Sequence, residues 1–281
     1  MSAGSHPYRL GRAALLTQHG KEAAISAPLA QGLEIEVVRV EGYDTDRLGT
    51  FTRDVPRAGT QLEAARSKAA LAQQLSGLPW GLGSEGSFGP DPVLGMTAWN
   101  VELLVWLDAE RRLEVVATAA GPETNYRQGW IEDWPQAEAF AAAVGFPSHA
   151  LIVSPGPEAA PVAKGITETA TLAHAFALAI SRHGRAWLET DMRAHGNPTR
   201  MAMIARAARQ LAQRLESCCP RCGAPGWWPA GAIPGRPCAD CGAPTALAAA
   251  QRWHCGGCAL EELRHLEAGP ADPNHCEYCN P

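Results

Sequence analysis

Eight of the nine cysteines fall into four Cys-x-x-Cys pairs: Cys219/Cys222, Cys238/Cys241, Cys255/Cys258 and Cys276/Cys279. Two thiolates two residues apart bite one ion from a tight turn, and two such turns complete a tetrahedron. Eight thiols therefore fit two structural zinc ions. A disulfide framework would need an oxidising compartment, for which the sequence gives no sign. The pairs are separated by 15, 13 and 17 residues. The first two share the string Cys-Gly-Ala-Pro and the last two a preceding histidine, His254 and His275, which points to sequential pairing; a crossed arrangement satisfies the same spacing. Cys218 reads as a spare thiol beside a ligand.

A second set of chemistry-bearing residues lies upstream. Only three of the 24 basic residues are lysines, Lys21, Lys68 and Lys164. In a chain that otherwise uses arginine, a lysine suggests a need for a compact point charge. Thr60-Gln61-Leu62-Glu63 has the spacing of a helix capping box, which is the plain role for Glu63. Lys68 follows five residues later, and Gly83-Ser84-Glu85-Gly86-Ser87 lies beyond the next apolar run. A lysine, a carboxylate and a glycine-flanked carboxylate with neighbouring serines such as Ser87 are the parts of a metal–phosphate site. Asp44-Thr45-Asp46 adds two carboxylates suited to a cation, or to an ordinary turn.

A third cluster spans Glu189 to Arg200. If the strand that starts near Arg185 runs on, Glu189, Asp191, Arg193 and His195 share one face and lead into a helix capped by Asn197. Four ionisable groups on one strand face are costly in a core and natural in a site. A solvated edge strand is the bland alternative, but the apolar lead-in Ala186-Trp187-Leu188 favours an interior one. Lys164, at the end of another short strand, is placed to reach the same cleft.

The order of the upstream parts resembles the inosine triphosphate pyrophosphatase superfamily. That family opens with a strand followed by Thr-x-Asn-x-x-Lys; here Thr17-Gln18-His19-Gly20-Lys21 keeps Thr and Lys with one residue fewer. Its helix motif, Thr-Phe-x-Glu-Asn-Ala-x-x-Lys-Ala, is matched at Thr60, Glu63, Ala65, Lys68 and Ala69. Its acidic turn has a Glu-x-Gly variant, near Ser84-Glu85-Gly86. The double Asp and the closing Ser-His-Arg motif are missing, so base specificity does not carry over. The resemblance implies hydrolysis of nucleoside triphosphates with Mg²⁺ or Mn²⁺. The whole chain, with Glu189 to Met201 and the terminal cysteines, also resembles an uncharacterised bacterial family, which implies no activity.

These residues need a scaffold. Strand signals at 13–17, 34–40, 78–82, 97–107, 113–119, 150–153 and 185–189 alternate with helix signals to about residue 31 and at 60–75, 136–144, 167–181 and 198–216. Residues 97–119 read as a hairpin, and 83–87 as a loop after a short strand. The expected fold is α/β, a mixed sheet flanked by helices, with a small C-terminal zinc-ribbon module. The domains are expected at 1–216, with the motifs in 12–119 and 186–200, and at 217–281.

In the 281-residue chain, 46% of residues are hydrophobic, enough for a sizeable core. A net charge of −5 argues against a chain built mainly to hold nucleic acid or an anionic membrane. From Ser217 onward there are four Arg, no Lys and six acidic residues. Two zinc ions on eight thiolates add about −4 to that balance. Such a ribbon suits docking or dimerising better than phosphate binding, although Trp227, Trp228 and Trp253 could stack on bases. No apolar run reaches membrane-spanning length and no signal-peptide pattern opens the chain, so a cytoplasmic location is expected.

The sequence thus favours a metal-dependent phosphohydrolase acting on a nucleotide or related phosphorylated small molecule. Glu63, Glu85, Asp44 and Asp46 would hold the ion or orient water, with Lys68 at the reacting centre. Thr17, Lys21, Ser87 and Arg200 would take the phosphates. Lys164, Glu189, Asp191, Arg193, His195 and Asn197 would face the rest of the substrate. The alternative is a non-catalytic nucleotide-sensing module whose ribbon docks a protein or nucleic-acid partner. A homodimer fits either reading.

Overall fold

The structure, a computed structural model, describes residues 6–43 and 59–281. The Asp44/Asp46 pair lies outside the described residues.

Strand β1 (Arg12–Leu16) is apolar after its first residue and buried on both faces, as the centre of a parallel sheet requires. It pairs in parallel with β2 (Glu36–Val40) on one side and β3 (Trp80–Pro90) on the other. Helix α1 (Glu22–Leu33) joins β1 to β2, and helix α2 (Gln61–Ser76) precedes β3. Long antiparallel strands β4 (Ala98–Asp108) and β5 (Leu113–Gly121) complete the order β2-β1-β3-β4-β5.

The two helices cover opposite faces. Ile25, Leu29 and Leu33 of α1 pack with Leu15, Leu82, Leu104 and Trp106. Ala65 and Ala69 of α2 pack with Leu103 and Val105. The strand order therefore reverses at β1, and the C-terminal end of β1, beside β3, opens the crevice where open α/β sheets take ligands.

The segment expected to be a loop at 83–87 is instead the middle of β3, which runs unbroken for 11 residues. Its glycines bring a helix close. A Cβ on Gly81 would stand 2.2 Å from the Ala69 carbonyl oxygen, and one on Gly83 1.8 Å from that of Ala65. Glycine in a strand marks close backbone approach as readily as a turn. Glu85 thus projects from a rigid strand under α2 rather than from a flexible loop.

A second, wholly antiparallel sheet has the order β6-β9-β7-β8. It comprises β6 (Gln128–Ile131), β7 (Leu151–Ser154), β8 (Ala163–Ile166) and β9 (Ala186–Thr190). Helices α3 (Trp134–Ala143) and α4 (Thr169–His183) cover it through Phe140, Leu172 and Phe176. From β9 the chain returns to the first sheet as α5 (Pro198–Glu216), whose Ile204 and Leu211 join the first core.

The cysteine-rich segment carries β10 (Trp228–Pro234), β11 (Ala248–His254) and β12 (Glu261–His265) as one antiparallel sheet. Its near end packs on β5. A Cβ on Gly226 would lie 2.7 Å from Val115, and one on Gly256 3.0 Å from Leu113. The Arg214 guanidinium at the end of α5 donates to the Val116 carbonyl and lies over the Trp228 ring. No helix among the described residues is long and apolar enough to cross a membrane.

Candidate functional site

The cysteines form two tetrads, Cys219/Cys222/Cys255/Cys258 and Cys238/Cys241/Cys276/Cys279. The pairing is crossed, first with third and second with fourth, which corrects the sequential order suggested by the shared strings. Each pair sits on a turn in which the N–H after the second cysteine donates to the carbonyl of the first. Those bonds come from Gly223, Gly242, Ala259 and Asn280, at 2.9, 3.0, 3.0 and 2.9 Å. Sulfur separations across pairs are 3.8 and 3.6 Å in the first tetrad and 3.8 and 3.6 Å in the second. A tetrahedron with zinc–sulfur bonds of about 2.3 Å has edges of about 3.8 Å. The donors therefore fit zinc, and each site is closed by four thiolates with no open position, the mark of a structural ion. The antiparallel strands explain the crossing, since β10 and β11 lead the first and third turns to the same end of the sheet.

The other candidate site lies where β1 ends beside the middle of β3. Lys21, at the start of α1, is buried, and its ammonium donates to the Ser84 carbonyl at 2.9 Å and to Ser84 Oγ at 3.3 Å. Burial pushes its pKa down to about 7; Arg200 adds to that push, while Glu85 and Glu102 oppose it. Two ion pairs flank it on opposite faces of the sheet. On the α2 face Lys68 pairs with Glu85, both buried. On the α5 face Arg200 Nε donates to Glu102 Oε1 at 2.8 Å, the two side chains being 0% and 1% exposed. Gly86 makes room for that pair, because a Cβ there would meet Glu102 at 2.5 Å and Arg200 at 2.6 Å.

Thr17 is buried at the end of β1, and its hydroxyl accepts from the His19 N–H at 3.4 Å. A cavity of about 310 Å³ opens beside it, lined by Thr17, Gln18, Arg39, Gly42 and Tyr43. The His19 and His195 rings lie 5.2 Å apart and bring the return segment to this mouth. Ser87 Oγ donates to Gln61 Oε1 at 3.2 Å.

Strand β9 ends at Thr190, so Glu189, Asp191, Arg193 and His195 do not share a strand face as expected. The Asp191 carboxylate turns the chain by accepting from the Arg193 N–H at 3.0 Å, and it also accepts from Arg193 Nε at 3.0 and 3.1 Å. A single 3-10 turn at Ala194–Gly196 carries His195. Asn197 then caps α5, accepting from the Arg200 N–H at 2.9 Å and donating to Asn125 at 2.8 Å. Asp191 and Asn197 thereby aim Arg200, whose guanidinium also donates to the Met192 carbonyl.

The structure gathers Lys21, Lys68, Glu85 and Arg200, joined by Glu102. Glu63 is occupied elsewhere, since its carboxylate accepts from the Thr60 N–H at 2.7 Å and the Thr60 hydroxyl at 2.9 Å. Those bonds hold its pKa below the usual carboxylate range. Glu189 lies on β9 opposite Gln128 and Ile152, and Lys164 is exposed on β8 opposite Ile152. Glu102 and Asn100 escaped the sequence reading. The available signal was two polar residues, two apart, in the otherwise apolar strand Ala98–Asp108.

No curated protein and no solved structure matches the chain. One family model does, over residues 68–281, from the site lysine of α2 through both cysteine tetrads. The chain belongs to that family, described as a domain of unknown function, DUF6671.

Proposed function

We propose that the cleft where β1 ends beside β3 binds and hydrolyses a nucleotide or related phosphorylated small molecule, with the cysteine module as a structural support. The observation that carries this reading is the buried Lys21 ammonium at the start of α1, set on Ser84 of β3. Phosphate is the natural guest there. The start of α1, just after the Thr17–Lys21 loop, presents a positive helix end. Lys21, Lys68 and Arg200 supply compensating charge. The sequence resemblance to nucleoside triphosphate pyrophosphatases points the same way.

Mg²⁺ or Mn²⁺ belongs to the proposal. Magnesium takes one or two protein carboxylates and completes its shell with phosphate oxygens and water. Glu85 offers one carboxylate on the Lys68 side, and the Asp44/Asp46 pair, a candidate from sequence alone, would be a further source. The ion would supply charge neutralisation at the phosphates. Glu85, held by Lys68, would keep its orientation without reorganising as charge develops.

One observation favours the non-catalytic alternative, a nucleotide sensor. Both described carboxylates of the cleft are tied to cations, Glu85 to Lys68 and Glu102 to Arg200. The discriminating experiment is phosphate and pyrophosphate release from a nucleotide panel with Mg²⁺ or Mn²⁺, on protein whose zinc has been counted. Release, abolished in Glu85→Gln with ligand binding retained, is the expected result. Stoichiometric binding without release would assign the sensor role, and neither binding nor release would overturn both.

A further inference from the structure

The hairpin that joins β3 to β4 ends in a crown of apolar side chains. Val93, Leu94 and Met96 are 86%, 75% and 82% exposed, and Pro92 is exposed beside them. The backbone beneath them is firmly held. Asp91 Oδ1 accepts the N–H groups of Val93 and Leu94 at 3.1 and 2.7 Å, and Oδ2 those of Met96 and Thr97 at 2.8 and 3.0 Å. The Asp91 N–H donates to the Thr97 carbonyl at 2.8 Å, and the Gly95 N–H to the Asp91 carbonyl at 3.1 Å. Proline has no N–H, so every backbone donor from Asp91 to Thr97 is met inside the tip. The same bonds hold the Asp91 carboxyl well below the usual carboxylate range, so its charge stays compensated by the N–H groups around it.

A loop that stays in water has no need of such bonds, because water serves its donors. A tip whose donors are already met has none to strip of water when it enters an apolar medium. Charge points the same way. From Gly86 to Val101 the only ionisable side chain is Asp91. Trp99, half-buried on β4 below the crown, carries an apolar body and one polar N–H, which suits the headgroup level of a bilayer. From Trp99 to Met96 is three residues, about 10 Å of extended chain. Interfacial elements sink to about that depth. A protein surface is the poorer match. Stable protein interfaces engage about 20–30 residues a side, and the crown offers only Pro92, Val93, Leu94 and Met96. The net charge of −5 and the lack of Lys or Arg near the tip give anionic lipid no hold, which leaves an uncharged lipid surface.

We infer that the Pro92–Met96 crown is a lipid-docking tip, which inserts into the interface of an uncharged bilayer and holds the protein there reversibly. Val93, Leu94 and Met96 supply the apolar surface, and Trp99 rests among the headgroups. Asp91 fixes the shape of the crown before contact, so little loop ordering opposes binding. The cysteine ribbon packs on Leu113 and Val115, beyond the opposite end of β4, and stays clear of the lipid. Docking at the tip is independent of what the cleft binds.

Flotation of the full zinc-loaded chain with phosphatidylcholine vesicles is the test. The wild-type chain should rise with the vesicles, and replacing part of the lipid with phosphatidylglycerol should not strengthen binding. Val93→Ser, Leu94→Ser and Met96→Ser made together should weaken binding by about tenfold or more. All three positions are exposed, so Tm should not change. Asp91→Ala keeps the apolar side chains and releases the backbone donors. It should weaken binding several-fold, a loss that apolar stickiness alone would not produce. Absence of the wild-type chain from the floated vesicles, or flotation that survives the triple serine substitution, would overturn the inference. So would a dimer in sedimentation velocity that the triple variant splits, which would assign the crown to a second copy of the chain.

Discussion

The cysteine tetrads and the cleft at the strand ends both gather polar groups into protected surroundings, and they complete them differently. Each tetrad presents four sulfurs from two near-identical turns, so one ion can meet every donor. The cleft balances Lys68 against Glu85 and Arg200 against Glu102, yet leaves Glu102 Oε2 and both Asn100 amide atoms without partners. A closed coordination shell holds a structure together and has nothing left to offer a substrate.

The largest expected effect separates the two tetrads from each other. Structural zinc in small modules is worth about 10 kcal/mol or more. The first tetrad adjoins β5 through Gly226 and Gly256, whereas the second lies toward the far end of the ribbon. Cys255→Ser should cost one zinc and also lower the main thermal transition of the α/β part. Cys276→Ser should cost one zinc and leave that transition in place. Zinc counting with calorimetry reads both, and equal losses of Tm would break the distinction.

Next comes the buried pair of the cleft. Arg200→Met strands the Glu102 charge and should destabilise the fold by about 3–5 kcal/mol in urea titrations. Adding Glu102→Leu to that variant should recover most of the loss. No recovery would mean that Arg200 acts through its bond to the Met192 carbonyl rather than through the ion pair.

The smallest effect concerns pH. The folded protein releases the Lys21 proton near pH 7, while the unfolded chain keeps it to about pH 10.4. Between those values the unfolded state binds more protons, so the Lys21 contribution rises with pH and is flat below about 7. From pH 7 to 8 the rise is about 1 kcal/mol. The stability difference between wild type and Lys21→Met should show it. An anion in the cleft should draw a proton onto Lys21, so inorganic phosphate affinity should weaken above pH 7. A flat difference would place Lys21 in a wetter site than its contacts indicate.

Legibility in the sequence followed the distance over which each feature is built. The Cys-x-x-Cys turns, the Thr60–Glu63 capping box and the Asn197–Pro198 helix start are local chemistry, and each was readable in place. In sequence Gly83 and Gly86 resemble a loop, because glycine also breaks strands; only the approach of α2 and of the Arg200–Glu102 pair explains them. The run from Glu189 to His195 looked like one strand because alternation does not reveal that Asp191 turns the chain back on itself. Glu102 gained meaning only when α5 brought Arg200 across the sheet. The tetrad pairing needed the strand register of the ribbon, which repeated motifs do not encode.

The crossed tetrads also bear on how the ribbon assembles. The loop closed by Cys219 to Cys258 overlaps the loop closed by Cys238 to Cys279, so the two rings interleave along the chain. Whichever ion arrives first shortens the path the other must close. Each halving of a loop saves only about 0.6 kcal/mol of closure entropy, but the saving comes with β10 and β11 already paired. Metal loading of the ribbon should therefore be cooperative, with few half-filled molecules between the apo and fully loaded forms.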